Sequence, residues 1–371
     1  MDIQPFATEH YYAEYEFTAP HLLSASDCES LTVGELLELS ELDSEALSTL
    51  SLGYTESQGH PDLRVAVAQT YNSIRAEEVV VLTAPVEGIY LAMRALLEPG
   101  DEVIVLVPAY DTLKNLAAHI TGQVRVWELS PTDEGWQLDF EALERLLNDR
   151  TRLIVVNFPH NPSGFLPTVG DFERLLALAG RRGTWVFCDE LYRGLEFGPA
   201  GQLPSAVDRY GRAIVLAGLS KTHGLPGLRA GWLLVRDRQL RQAIMNWKYY
   251  TTICPAAPSE RLALAALQAG ERLVARNRAI IVENLEVAEP FFQRWAHFLT
   301  WRRPLAGSVA LADIAVPSAE AYCHRVAQEA GVVLLPGSFM GAAQETVRFG
   351  FGRRDFAAAL GEYEAYLQAT M

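Results

Sequence analysis

Residues 213–235 read AIVLAGLSKTHGLPGLRAGWLLV. Two apolar runs of strand length, AIVLAGLS at 213–220 and GWLLV at 231–235, enclose a glycine-rich turn that carries Lys221. A run apolar on both faces is a strand buried between helix layers. The same kind of run recurs as EVVVLT at 78–83, DEVIVLVP at 101–108, RLIVVNF at 152–158 and TWVFCDE at 184–190. Segments with helical spacing, 87–98, 139–149 and 169–182, lie among them. This alternation predicts an α/β fold with a mostly parallel sheet between helix layers. From about residue 260 the pattern changes to a long helical stretch and then to shorter strand candidates, GVVLLPG and TVRFGF. The chain thus divides by pattern into three parts. An N-terminal segment, 1–45, packs on the rest; a large α/β domain covers 46–265; a smaller α+β domain covers 266–371.

Composition narrows the function. With 371 residues, 49% apolar and 21% charged, the chain is expected to fold throughout. No uncharged apolar run of about 18 residues occurs. The start, MDIQPFATEHYY, lacks a basic leader region, so neither a membrane span nor a secretory signal is expected and a cytoplasmic location fits. A formal charge of −15 argues against a nucleic-acid partner. Cys28, Cys188, Cys254 and Cys323 show no paired spacing, which signals neither a zinc site nor a disulfide framework, and no metal is expected. The 31 basic residues comprise 28 arginines and only three lysines, Lys114, Lys221 and Lys248. Chemistry that needs a lysine amine has three candidates.

In open α/β sheets ligands bind beyond the carboxyl ends of the strands. Each run here ends in polar residues: Thr83 with APVEG, then Pro108 and Tyr110, then NFPHNPSG at 157–164, then Asp189, Glu190 and Tyr192, then Ser220 and Lys221. One crevice would hold a loop of phosphate size, aromatics, an amide, a carboxylate and a lysine, a set that suits pyridoxal 5′-phosphate. A lysine amine forms a Schiff base with an aldehyde, and burial keeps it reactive. A buried carboxylate such as Asp189 keeps the ring nitrogen protonated. Tyr192 and Asn161 suit the ring's 3-oxygen, and Tyr110 suits its face. The helix start at 83–88, with the amides of Val86 and Glu87, together with Ser220 and Arg229, suits the phosphate.

Residues 217–231, AGLSKTHGLPGLRAG, resemble the S-K-x-x-G-x-x-G-x-R-x-G signature of class I/II pyridoxal-phosphate aminotransferases, which have fold type I. LGYTESQGHPDLR at 52–64, NFPHNPSG, CDELY, LLPGSFMG at 334–341 and VRFGF at 347–351 are similar to other family motifs and occur in the same order. The resemblance implies that Lys221 bears the cofactor and also moves the substrate's α-proton, and that Asp189 is the ring-nitrogen partner. It implies that Tyr192 and Asn161 serve the 3-oxygen, that Arg229 binds phosphate, and that Arg348, with Asn161, grips the substrate carboxylate. It implies a homodimer in which Tyr54 reaches the phosphate of the neighbouring subunit. The expected activity is transfer of an amino group between an amino acid and a 2-oxo acid.

The chain also departs from that pattern. Pro85 stands where many members have glycine, and Gly218 where serine or threonine is usual. A missing N–H and a missing hydroxyl predict a weaker hold on the phosphate, tightened by Gly218→Ser unless Gly218 needs a positive φ. WKYYTTICPAAPSE at 247–260 is similar to a subgroup that includes capreomycidine synthase, in which the cofactor serves a cyclising replacement. Elimination, replacement or cyclisation is therefore the rival chemistry. A non-catalytic effector-binding regulator of the same fold is a rival from another class, but the acidic N-terminal segment does not resemble a helix-turn-helix. A nicotinamide dehydrogenase fits less well, since no G-x-G-x-x-G follows the first strand. Lys248 and Thr251 read as interface packing, and His160 and His223 as dispensable neighbours of the site.

Overall fold

The computed structural model describes residues 3–40, 42–133, 135–197 and 201–371. Its centre is an eight-stranded sheet. In spatial order the strands are Val79–Leu82, Gly231–Val235, Ala213–Gly218, Trp185–Asp189, Thr151–Asn157, Glu102–Val107, Val124–Thr132 and Gly135–Leu138. The five strands from Ala213–Gly218 to Val124–Thr132 run parallel. Gly231–Val235 is antiparallel to both of its neighbours, and Gly135–Leu138 is antiparallel to Val124–Thr132. The runs VVVL, EVIVLV, WVFCD, AIVLAG and GWLLV are buried along their whole length, as sheets covered on both faces require.

Helices cover the two faces, and local chemistry sets their ends. Thr168 accepts the Asp171 N–H at the start of Val169–Arg182, which closes on Gly183 at φ 64°. Asp237 caps Arg238–Tyr249 in the same way through the Leu240 N–H. One apolar layer joins Val79, Ile104, Ile154, Val186 and Leu234, and the opposite layer joins Val80, Val105, Val155, Phe187 and Leu233. That split is the period-2 alternation of side chains across a sheet.

A four-stranded antiparallel sheet, ordered Leu299–Trp301, Val309–Ile314, Thr346–Gly350, Leu335–Pro336, forms the C-terminal part with helices Ala319–Ala330 and Phe356–Thr370. The helix Gly270–Arg294 connects the two parts: Leu273 belongs to the core of the large sheet, whereas Ile281, Leu285, Ala288 and Phe291 belong to the C-terminal core. Tyr11, Tyr15, Leu23 and Cys28 from the N-terminal segment also sit in that C-terminal core. Two strands of the large sheet have no counterpart among the buried runs of the sequence, Val124–Thr132 and Gly135–Leu138. Gly135–Leu138 is the edge strand and Val124–Thr132 lies beside it, few of their positions are buried, and Pro131 interrupts the run, so neither reads as a buried strand. Among the described residues no helix is long and apolar enough to cross a membrane.

Candidate active site

The carboxyl ends of the parallel strands bring the polar residues to one edge. Register pairs Asn157 with Asp189, Asp189 with Leu216, and Gly218 with Gly231. Lys221 follows Ala213–Gly218, and its Nζ donates to Ser26 Oγ at 2.8 Å. Burial, reinforced by the Arg348 charge, holds this amine below the ordinary lysine value against the opposing pull of Asp27 and Glu9. The turn bearing Lys221 is fixed by its neighbour Thr222, whose hydroxyl is within bonding distance of the Leu191 and Arg193 carbonyls, at 2.9 and 3.0 Å.

Asp189 is buried and accepts the Leu191 N–H at 3.0 Å. Burial raises its carboxyl to about 7, with the Leu191 bond and the Lys221 charge pulling the other way. A carboxylate held in this state favours a cation placed against it. Tyr192 is buried and its hydroxyl donates to the Ser26 carbonyl at 3.1 Å. Asn161 is positioned through a relay: Asn157 Nδ2 donates to the Asp189 carbonyl at 2.9 Å, and Asn157 Oδ1 accepts the Asn161 N–H at 2.7 Å. Asn161 Oδ1 in turn accepts from Arg348 Nη1 at 3.0 Å.

Arg348 is only 2% exposed. Its Nη2 donates to the Tyr12 hydroxyl at 2.8 Å and to the Ser24 carbonyl at 2.9 Å, while its Nε is buried without a partner among the described residues. No carboxylate pairs with it among the described residues, so a buried guanidinium is left able to receive an anion. Tyr110 packs edge-on against Phe6, with centroids 5.1 Å apart, and donates to Glu9 at 2.7 Å.

At the other end of the crevice, helix Pro85–Leu96 begins with Pro85. Ser220 Oγ and Thr83 Oγ1 are buried there without partners among the described residues, two hydroxyls with unused bonding capacity. Val86 is exposed; the Glu87 N–H is turned to the Ala84 carbonyl at 3.1 Å. The Glu87 carboxylate accepts the Thr83 N–H at 2.9 Å and the hydroxyls of Thr251 and Thr252 at 2.8 and 2.6 Å. Lys248 is fully buried and donates to Thr252 at 2.9 Å, so Lys248 and Thr251 brace this corner from within one chain. Arg229 is exposed, in a left-handed backbone conformation at φ 52°, with Nη1 on the Pro226 carbonyl at 3.0 Å. Tyr54 is 91% exposed, so most of its surface is left uncovered by its own chain.

The expected benefit of Gly218→Ser is corrected by the packing. Gly218 has no positive φ, but a β-carbon there would meet the Pro85 ring and the Ala230 carbonyl. The space for a hydroxyl is already filled.

No motif in the sequence marks the segment that closes the crevice. Residues 23–29 run along the C-terminal sheet, where the Gly350 N–H donates to the Leu23 carbonyl and the Glu29 N–H to the Gly352 carbonyl, both at 2.8 Å. A β-carbon on Gly350 would overlap the Ala25 carbonyl, and one on Gly352 the Asp27 carbonyl. The glycine pair in GFG at 350–352 is the available signal, since alternate glycines on a strand mark a close backbone approach. It does not say which segment approaches. His160 is satisfied by Ser163 and the Pro108 carbonyl at 2.7 and 2.9 Å, and burial lowers it to about 4.

Comparison with known proteins agrees with this architecture. The family model "Aminotransferase class I and II" matches residues 23–355. The chain is 31% identical over 361 residues to capreomycidine synthase of Streptomyces vinaceus, covering 92% of this chain and 88% of that protein. It is 26% identical over 322 residues to aspartate aminotransferase of Sulfurisphaera tokodaii, covering 82% and 79%. Among solved structures, a pyridoxal-phosphate-dependent aminotransferase from Streptococcus suis superposes with a TM-score of 0.93 at 28% identity, covering 100% of this chain and 99% of that one. The pyridoxal-phosphate-dependent cyclase OrfR gives 0.92 at 25% identity, with the same coverage. The chain belongs to the class I and II aminotransferases of fold type I, enzymes whose cofactor is pyridoxal 5′-phosphate.

Proposed function

We propose that this enzyme moves an amino group between an amino acid and a 2-oxo acid, acting as a homodimer with shared sites. The observation that carries the proposal is the convergence on one crevice of a lysine amine below its ordinary pKa, a carboxylate raised to about 7, and a buried guanidinium with no carboxylate partner among the described residues. The unpartnered hydroxyls of Ser220 and Thr83 support a phosphate at the start of helix Pro85–Leu96.

When bound, the cofactor supplies an aldehyde that takes up an amine and an electron-poor ring that accommodates charge. Lys221 would hold it covalently and, once displaced by the substrate amine, use Nζ to take the proton from the substrate α-carbon and to return it. Asp189 would keep a proton on the ring nitrogen, since its buried carboxylate gains most from an adjacent cation. The Tyr192 hydroxyl and the Asn161 amide would donate to the 3-oxygen, and Tyr110 would lie over the ring. Ser220, Arg229 and the helix start at Val86 and Glu87 would hold the phosphate, joined by Tyr54 of the second subunit. Arg348 would bind the substrate carboxylate in the fork geometry that suits a guanidinium.

The similarity to capreomycidine synthase and to the cyclase OrfR favours a second reading, in which the same α-proton removal leads to elimination, replacement or cyclisation at the β or γ carbon. Screening amino acids by visible absorbance, with products identified by mass spectrometry, separates the two. A new amino acid made from the added 2-oxo acid supports transamination; a cyclised or eliminated product without amino transfer supports the second. Borohydride trapping with peptide mapping tests the lysine, and a label on Lys114 or Lys248 in place of Lys221 refutes the assignment.

A further inference from the structure

We infer that Ser26 is a positioning residue for Lys221, holding the free amine in one place and making the N-terminal segment part of the reacting site. The inference rests on the proposed role of Lys221. The one polar partner of Lys221 Nζ among the described residues is Ser26 Oγ, at 2.8 Å.

Ser26 is itself held on both sides of the crevice. Its carbonyl accepts the Tyr192 hydroxyl at 3.1 Å, from the large sheet's edge, and the Ser308 hydroxyl at 2.7 Å, next to the C-terminal strand Val309–Ile314. Its neighbours are fixed as well: the Ser24 carbonyl accepts from Arg348, and the Asp27 carboxylate pairs with Arg353 at 2.9 Å. The backbone that carries the hydroxyl therefore cannot shift away from Lys221 without disturbing contacts to Tyr192, Ser308, Arg348 and Arg353.

A hydroxyl suits this duty better than the alternatives. It accepts from the amine when the amine is charged and donates to its lone pair when it is neutral, so one geometry serves both states. A carboxylate would fix the amine as an ion pair and raise its pKa; an apolar group would leave a long, flexible stem unanchored. A base that must meet one carbon atom gains rate from being held.

The test compares wild type with Ser26→Ala, Ser26→Thr and Ser26→Cys in the full-length enzyme. Borohydride trapping and peptide mapping come first in every variant, and a label on Lys114 or Lys248 brings down the underlying role of Lys221 separately from the role of Ser26. With Lys221 confirmed, Ser26→Ala is expected to lower kcat about tenfold while KM changes less than about twofold. In the cofactor-stripped chain, loss of a charge-assisted acceptor is expected to move the pH midpoint of Lys221 acetylation down by about one unit, read by mass spectrometry apart from the other two lysines. Ser26→Thr, which keeps the hydroxyl, should stay near wild type in both measurements. Wild-type kcat and an unmoved midpoint in a folded Ser26→Ala overturn the proposal. Should that variant not fold, Ser26→Cys carries the test, since it keeps the volume but bonds weakly: a drop in both quantities supports the proposal, and wild-type values overturn it.

Discussion

Pro85 and Gly218 occupy one another's space: a β-carbon built on Gly218 stands 2.8 Å from Pro85 Cγ and 2.9 Å from the Ala230 carbonyl oxygen. Gly231, paired with Gly218 across the strands, lies under the same ring, its β-carbon position also 2.8 Å from Pro85 Cγ. The two departures from the family pattern are thus a single packing arrangement, with a proline ring where a side chain on residue 218 would lie.

Gly218→Ser should therefore destabilise the enzyme by about 1–3 kcal/mol, the usual cost of overpacking. Adding Pro85→Gly should recover part of that loss, because it removes the colliding ring. Urea melts of the two single variants and the double variant check the coupling; additive effects would show that the residues are independent.

Asp189 predicts a pH signature in the cofactor-free chain. Its carboxyl is raised to about 7, so between about pH 4 and pH 7 the folded chain binds more protons than the unfolded one, and stability falls as pH rises. Comparison with Asp189→Asn isolates this group from Glu190, also raised to about 7, and from His160 and His223, lowered to about 4. Relative to the variant, the wild type should lose up to about 1.4 kcal/mol per pH unit across that window. Parallel stability curves would contradict the burial argument. On the proposed role, adding cofactor should flatten the difference.

Arg348→Lys keeps the charge but not the fork. It should lower kcat/KM for amino acids by roughly 2 kcal/mol or more, and Arg348→Ala by about 2–5 kcal/mol. Because Tyr12 and Ser24 also rest on this guanidinium, the alanine variant should melt earlier than the lysine variant. Unchanged kcat/KM in a folded Arg348→Ala would remove the residue from substrate binding.

Tyr54, Tyr250 and Leu52 are 91%, 88% and 80% exposed on a single chain. On the proposed dimer, the second copy would cover these groups. Sedimentation at assay concentration should give twice the 41.0 kDa chain mass, and Tyr54→Phe should weaken cofactor binding without dissociating the dimer. A fully active monomer would end this part of the proposal.

The residues at the strand ends are legible because each follows a run apolar on both faces, which fixes both the strand and the edge where it stops. Asp189 and Lys221 are read that way. Ser26, Tyr12 and Ser24 are not, because they lie outside the apolar runs and reach the site through contacts 166 to 336 residues away in sequence. Only the approach, marked by Gly350 and Gly352, left a trace. The Pro85 and Gly218 substitutions are visible as departures, but their mutual packing depends on an antiparallel strand, Gly231–Val235, whose direction no local pattern gives.

The bonding of residues 23–29 to Arg348, Gly350, Gly352 and Arg353 has a consequence for biosynthesis. The segment leaves the ribosome well ahead of these partners, which lie far downstream in the chain. Domains fold as they emerge, so the large sheet can form while the segment is still unattached. It must wait for the strand Thr346–Gly350 before it can close over the crevice. A nascent chain stalled before residue 346 would lack the strand that anchors the segment beside Asp189 and Lys221, so closure of the active site waits until Thr346–Gly350 has emerged.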